Sequence, residues 1–155
     1  MPGLSARTKT TALMIVTVVL LIVDRFLKQL ALHFYSTKII IKNILSFSLS
    51  ENTGIAFSLG AEKNLSWLIL LITLILLFVA YKKMKSKEYV LMASLLLIII
   101  GSASNLFDRF AYGAVIDYFY FLQITIFNLA DLSIILGATL YIINSKMSTL
   151  DRSKD

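Results

Sequence analysis

The chain has 155 residues, 58% of them hydrophobic and only 15% charged, where a soluble domain carries about a quarter charged; its core is therefore shared with lipid. The absence of cysteine excludes disulfides, thiolate metal sites and a cysteine nucleophile, and with one histidine, His33, neither a metal centre nor a cofactor is expected. A net charge of +6 would point to nucleic acid in a soluble protein, but in so apolar a chain the membrane surface accounts for it and no nucleic-acid partner is expected.

Four apolar runs approach the ~20 residues that cross ~30 Å of hydrocarbon. The first spans approximately 11–32, with an apolar core from Ala12 to Val23. Arg7 and Lys9 precede it as in a signal peptide, yet it passes straight into "DRFLK" without a small-residue cleavage site and reads as a retained helix. An outer segment, 36–62, follows; near-alternation in "LSFSLS" reads as short strands, and Asn52, Thr53 and Gly54 give a turn. The second run, 65–81, has only Ser66 and Thr73 as internal polar residues. The third covers 89–107, a second outer segment 108–123 crowds aromatics around Asp117 as at the headgroup level, and the fourth covers 124–143. No repeat or low-complexity segment interrupts the chain, so residues 1–155 read as one membrane domain.

Lysine and arginine placement orients it. Arg7, Lys9, Lys82, Lys83, Lys85, Lys87, Lys146, Arg152 and Lys154 fall on one side with Glu88, Asp151 and Asp155, which accounts for the whole net charge. Both termini are accordingly expected in the cytoplasm, and the unusual polar residues toward the outer face.

Helical spacing sorts those residues. Ser94, Gly101, Asn105 and Asp108 lie on one stripe of the third helix; Thr10, Thr17, Asp24 and Lys28 do the same on the first. Asn128, Asp131 and Ala138 share a face of the fourth. The economical packing turns these three stripes inward and leaves the second helix facing lipid. Asp24 and Lys28 read as a local i,i+4 ion pair with the lysine snorkelling outward. Asn105, Asp108 and Arg109 read as a helix-terminal cluster in which Asp108 pairs with Arg109, and His33 as an interfacial bystander.

Asp131 resists such a reading. An intramembrane carboxylate with no basic residue on its own helix within two turns is a functional candidate, and Asp117 is the natural second carboxylate. Two carboxylates in a low-dielectric site share one proton, which suits amide hydrolysis: one takes a proton from water while the other donates to the carbonyl. The residues alone leave two other classes open. One is a small proton or ion transporter with Asp131 and Asp108 as relay groups, although internal repeats and paired broken helices are missing from the sequence. The other is a non-catalytic scaffold whose carboxylates pair with Lys28 and Arg109.

Four segments, "DRFLKQ" (Asp24 to Gln29), "ENTGIAF" (Glu51 to Phe57), "GSASNLFDRFAYGAVIDY" (Gly101 to Tyr118) and "FNLADLSIILG" (Phe127 to Gly137), resemble the blocks of bacterial prolipoprotein signal peptidase (signal peptidase II), in the family's order and across essentially the whole chain. The resemblance implies an all-α membrane protein of four transmembrane helices with a small extracytoplasmic β-like cradle between helices 1 and 2. It implies a monomeric aspartic endopeptidase of the bacterial inner membrane, in contact with membrane lipid. Such an enzyme cleaves signal peptides from lipoprotein precursors just before a diacylglyceryl-modified cysteine. Carried over by position, Asp117 and Asp131 are the catalytic pair; Asn105, Arg109 and Asn128 orient the dyad and hold substrate backbone; Asn52 and Gly54 belong to the cradle; Asp24 and Lys28 form a supporting pair, with Asp108 beside them. Ser104 stands where the family commonly has glycine and Tyr118 where it commonly has phenylalanine. Thirteen residues separate the aspartates, fewer than in many relatives.

Overall fold

Long runs of Leu, Ile and Val without an internal proline leave the backbone little alternative to helix once water is removed. The computed structural model describes residues 6–33, 36–54 and 63–152, and among them four helices and four strands. The helices are α1 (Ala6–His33), α2 (Lys63–Lys85), α3 (Tyr89–Tyr112) and α4 (Leu129–Arg152). The strands are β1 (Lys38–Ile41), β2 (Leu45–Asn52), β3 (Val115–Phe121) and β4 (Thr125–Phe127). Residues 55–62 of the expected outer segment, including the last three of "ENTGIAF", lie outside the described residues.

Helix α3 is central, packing against α1, α2 and α4. The polar stripes of α1 and α3 face inward as spacing predicted: Thr17, Asp24 and Lys28, and Ser94, Gly101, Asn105 and Asp108, are all buried, and Ser104 is buried beside them. Helix α2 turns Trp67, Leu71, Leu74, Ile75 and Phe78 outward, as expected for a lipid-facing helix. Residues 66–85, 89–112 and 129–146 are long and apolar enough to cross a membrane. Helix α1, whose last third carries Asp24, Arg25 and Lys28, is not among the spans found in the described residues. Two glycines set the α3–α4 distance: a Cβ on Gly101 would come within 2.5 Å of the Ala130 carbonyl, and one on Gly137 within 2.6 Å of that of Ser94. Such small-residue contacts let membrane helices approach closely.

Several helix ends differ from the sequence expectation, α1 beginning at Ala6, α2 reaching Lys85 and α4 reaching Arg152, and two further differences shape the site. The third helix runs on to Tyr112 and stops at Gly113, which adopts the left-handed conformation and donates its N–H to Arg109 O. The fourth begins at Leu129 rather than near Ile124. The residues Thr125–Phe127, apolar enough to pass for helix, pair instead with β3, and Asn128 caps the helix that follows.

The sheet is antiparallel in the order β1-β2-β3-β4. Only half of it comes from between helices α1 and α2; the other half is the aromatic segment between α3 and α4. The alternation of "VIDYFYF" supplies the reason: it gives β3 two faces, and β2 pairs along it with Ser50 opposite Asp117. A tight turn, Leu122 and Gln123 both at positive φ, joins β3 to β4, so the short segment between the aspartates is used as a hairpin.

Candidate active site

Five elements, β2, α3, β3, β4 and α4, converge on one cleft of about 520 Å³, lined by Asn52, Gly54, Asn105, Arg109, Val115, Asp117, Asp131 and the β4 side of the hairpin, Ile124 to Ile126. Six of the ten residues singled out in the sequence therefore share a cavity. Asn128 is fully buried behind it, and Asp24, Lys28 and Asp108 form an adjoining buried cluster.

Asp131 is not mid-helix. It is the third residue of α4, where Asn128 and Asp131 cap each other: the Asp131 N–H donates to Asn128 Oδ1 (2.9 Å) and the Asn128 N–H to Asp131 Oδ2 (3.2 Å). This reciprocal arrangement and the positive end of the helix dipole both favour an acidic residue there. Capping alone does not account for a second carboxylate in the same cleft.

Three asparagines hold the two carboxylates. Asn128 Nδ2 donates to Asp117 Oδ1 (2.5 Å), Asn52 Nδ2 to Asp117 Oδ2 (3.1 Å) and Asn105 Nδ2 to Asp131 Oδ1 (2.8 Å). Asn52 is itself fixed by accepting the Gly54 N–H (3.2 Å), an Asx turn that explains the Asn-Thr-Gly signal. Amides orient a carboxylate without neutralising it, and among the described residues neither aspartate is ion-paired. Burial, and then the neighbouring Asp131, push Asp117 up to about 6 against the pull of the Asn52 and Asn128 bonds.

That shift gives the fold a pH signature. With the folded pKa above the ordinary value of 3.8, the contribution of Asp117 is fully present below pH ~4 and is lost as pH rises through about 6. At 1.36 kcal/mol per unit the loss is on the order of 3 kcal/mol. The stability difference between wild type and Asp117→Asn, followed by thermal unfolding in detergent from about pH 4 to 8, is expected to shift by that order in favour of the variant. A pH-independent difference would place Asp117 in an ordinary solvated setting.

The supporting cluster corrects two expectations. Lys28 does not snorkel outward: it is fully buried, with Nζ 2.6 Å from Asp108 Oδ2, 2.8 Å from Asn105 Oδ1 and 3.3 Å from Asp24 Oδ2. Asp108 is not paired with Arg109 but with Lys28 and Arg25 (2.6 Å). Adjacent helical residues point about 100° apart, so Arg109 turns to the cleft and donates to Gly54 O (3.4 Å).

Three residues of this network were given no part in it by the sequence reading. Arg25 bonds Asp108, Ser104 Oγ donates to Asp24 Oδ2 (2.6 Å), and the Tyr118 hydroxyl donates to Asp24 Oδ1 (2.9 Å). Strand alternation was the available signal for Tyr118: if Asp117 faces a cleft, Tyr118 faces the core, and a buried phenol needs a partner.

The sequence profile of signal peptidase (SPase) II matches residues 16–147. A lipoprotein signal peptidase of Clostridium tetani is 36% identical over 138 residues, covering 83% of this chain and 88% of the relative. One from Wigglesworthia glossinidia brevipalpis is 35% identical, covering 86% and 93%. A solved bacterial membrane enzyme, 23% identical, superposes over 90% of both chains with a TM-score of 0.74 and shares the fold.

Proposed function

The chain belongs to the signal peptidase II family and is a peptidase of that type, and from this premise we propose that it removes signal peptides from lipoprotein precursors with Asp117 and Asp131 as a water-activating dyad. The observation that carries the proposal is the shared cleft: two carboxylates, paired with no cation among the described residues and gripped by asparagines, next to an arginine that bonds backbone carbonyl.

In this mechanism the pair holds one proton. The ionised carboxylate takes a proton from a water molecule, whose oxygen attacks the scissile carbonyl carbon. The protonated carboxyl donates to the carbonyl oxygen. Collapse of the tetrahedral intermediate breaks the C–N bond as one carboxyl gives its proton to the leaving amine and the other carboxylate takes a hydroxyl proton from the intermediate, which restores the one-proton pair. The Asn52–Gly54 turn and Arg109 would hold substrate backbone, and the β3–β4 hairpin forms one wall of the site.

The remaining parts of the reading follow the same logic. All four helices span the bacterial inner membrane, α1 being carried across by burying its charges against α3. Both termini are cytoplasmic, following the lysine-rich α2–α3 connection, which puts the sheet and cleft toward the outer face. The site residues come from one chain, which supports a monomer. The substrate is a precursor whose cysteine bears diacylglycerol: the acyl chains stay in the hydrocarbon while the adjacent peptide bond reaches the aspartates.

The test is cleavage of matched precursors by the purified protein in lipid. The unmodified precursor is expected to be cleaved at least ~100-fold less efficiently, because each buried CH₂ contributes ~0.8 kcal/mol of anchoring and positioning is lost with it. Equal cleavage of both would remove the lipid-dependent specificity and leave a general membrane peptidase.

A further inference from the structure

We infer that Tyr118 is a positioning residue that fixes the spacing of the two cleft carboxylates, by tying the strand that carries one to the helix terminus that carries the other. The inference rests on the dyad reading above. On β3, Asp117 faces the cleft, while Tyr118 points the opposite way and is fully buried, packed with Phe47 and Phe119. Its hydroxyl both gives and receives: it donates to Asp24 Oδ1 and accepts the Leu129 N–H at 3.0 Å. The Ala130 N–H donates to the same Asp24 oxygen (3.2 Å), and the Asp131 N–H goes to Asn128.

The first three N–H groups of a helix have no partner within it. Here all three are taken by side chains from outside the helix: Tyr118 on β3, Asp24 on α1 and the capping Asn128. The terminus of α4 is therefore held against β3 and α1 immediately before Asp131. The Tyr118 hydroxyl bonds Asp24 and Leu129 rather than a cleft carboxylate, so it acts through placement. Burial and the Asp24 carboxylate push its hydroxyl up, which keeps it a donor across the working pH range. Phenylalanine, common in the family at this position, would fill the same volume, but in this chain it would leave both the Leu129 N–H and one Asp24 contact unmade, so the dependence on the hydroxyl belongs to this chain and not to the family.

Tyr118→Phe is expected to lower kcat about 10- to 100-fold, the cost of a small misplacement of reacting groups, with KM within about twofold. Looser spacing weakens the influence of Asp131 on Asp117, so the alkaline limb of the pH–rate profile should move to lower pH. The other charges near the pair, Arg109 and Asp108 on α3 and Lys28 and Asp24 on α1, are unchanged in the variant. A second variant removes the same bond from its other end: Leu129→Pro deletes the N–H at the first helical position, where proline is tolerated, and should reproduce the shifted limb. Wild-type kcat and limb in folded Tyr118→Phe, or in folded Leu129→Pro, would overturn the inference. So would a loss that only tracks the folded fraction with the limb unmoved. Asp131→Asn assayed alongside separates the two readings: if it retains turnover, the dyad and this inference fall together, whereas an inactive Asp131→Asn beside a fully active Tyr118→Phe removes this inference alone.

Discussion

Asp131→Asn is expected to reduce precursor cleavage by about 10⁴-fold, to the limit of detection, while the protein remains folded. The substitution keeps the shape of the side chain and removes a buried charge. Asn105 Oδ1 already accepts from Lys28 and from Asn128 (3.2 Å), so Asn105 cannot turn its amide round to suit a new donor. The oxygen of the introduced amide can therefore accept from Asn105 or from the Asn128 N–H, losing about one hydrogen bond, or ~1 kcal/mol. What it cannot do is take a proton from water. Asp117→Asn should be equally inactive and the double variant no worse than either, since members of a catalytic unit are not additive. Near-normal turnover per folded molecule in Asp131→Asn would make the carboxylate a helix cap and nothing more.

Replacing Lys28 by methionine is expected to produce the largest loss of stability, about 3–5 kcal/mol. The buried cluster holds two carboxylates, Asp24 and Asp108, against Lys28 and the partly exposed Arg25. Without the ammonium, Asp24 keeps only neutral donors: Ser104, Tyr118 and the Ala130 N–H. The variant then has a buried charge with no opposing partner, and Asn105 loses one of the two donors that fix its orientation toward Asp131. Adding Asp24→Asn should recover part of the loss, because it removes the orphaned charge; the two substitutions share a contact and are expected to be non-additive. Thermal unfolding in detergent measures both. A Lys28→Met protein within about 1 kcal/mol of wild type would show that solvent or lipid headgroups reach the cluster.

Buried polar groups in this chain thus fall into two kinds. The Lys28 cluster is compensated charge against charge and serves to carry α1 through the bundle against α3. The cleft aspartates are held by amides, which fix their geometry without cancelling their charge. Asn105 belongs to both, accepting from Lys28 and donating to Asp131, so it is the side chain through which the structural cluster touches the proposed chemistry.

Features that depend on neighbours along the chain were legible before any fold was known. Apolar runs located the helices, because helix formation in lipid needs only local backbone bonds and an apolar exterior. Intervals of three, four and seven put Asp24, Lys28, Asn105 and Asp108 on inward stripes, because helical periodicity is local as well. The lack of a basic residue near Asp131 on its own helix singled it out, with Asp117 as its partner, and resemblance to the family's motifs supplied the asparagines around them. Packing settled what local pattern could not. Residues Thr125–Phe127 are as apolar as a helix start, and it is pairing with β3 that makes them strand. Asp108 has an arginine beside it in sequence, yet its partners come from a helix 80 and 83 residues earlier, since adjacent side chains on a helix diverge. Asp24 bonds Ser104, Tyr118 and Ala130 across separations of 80, 94 and 106 residues; no local pattern encodes such contacts, because they exist only once the α3–α4 approach and the sheet have brought those segments to one point.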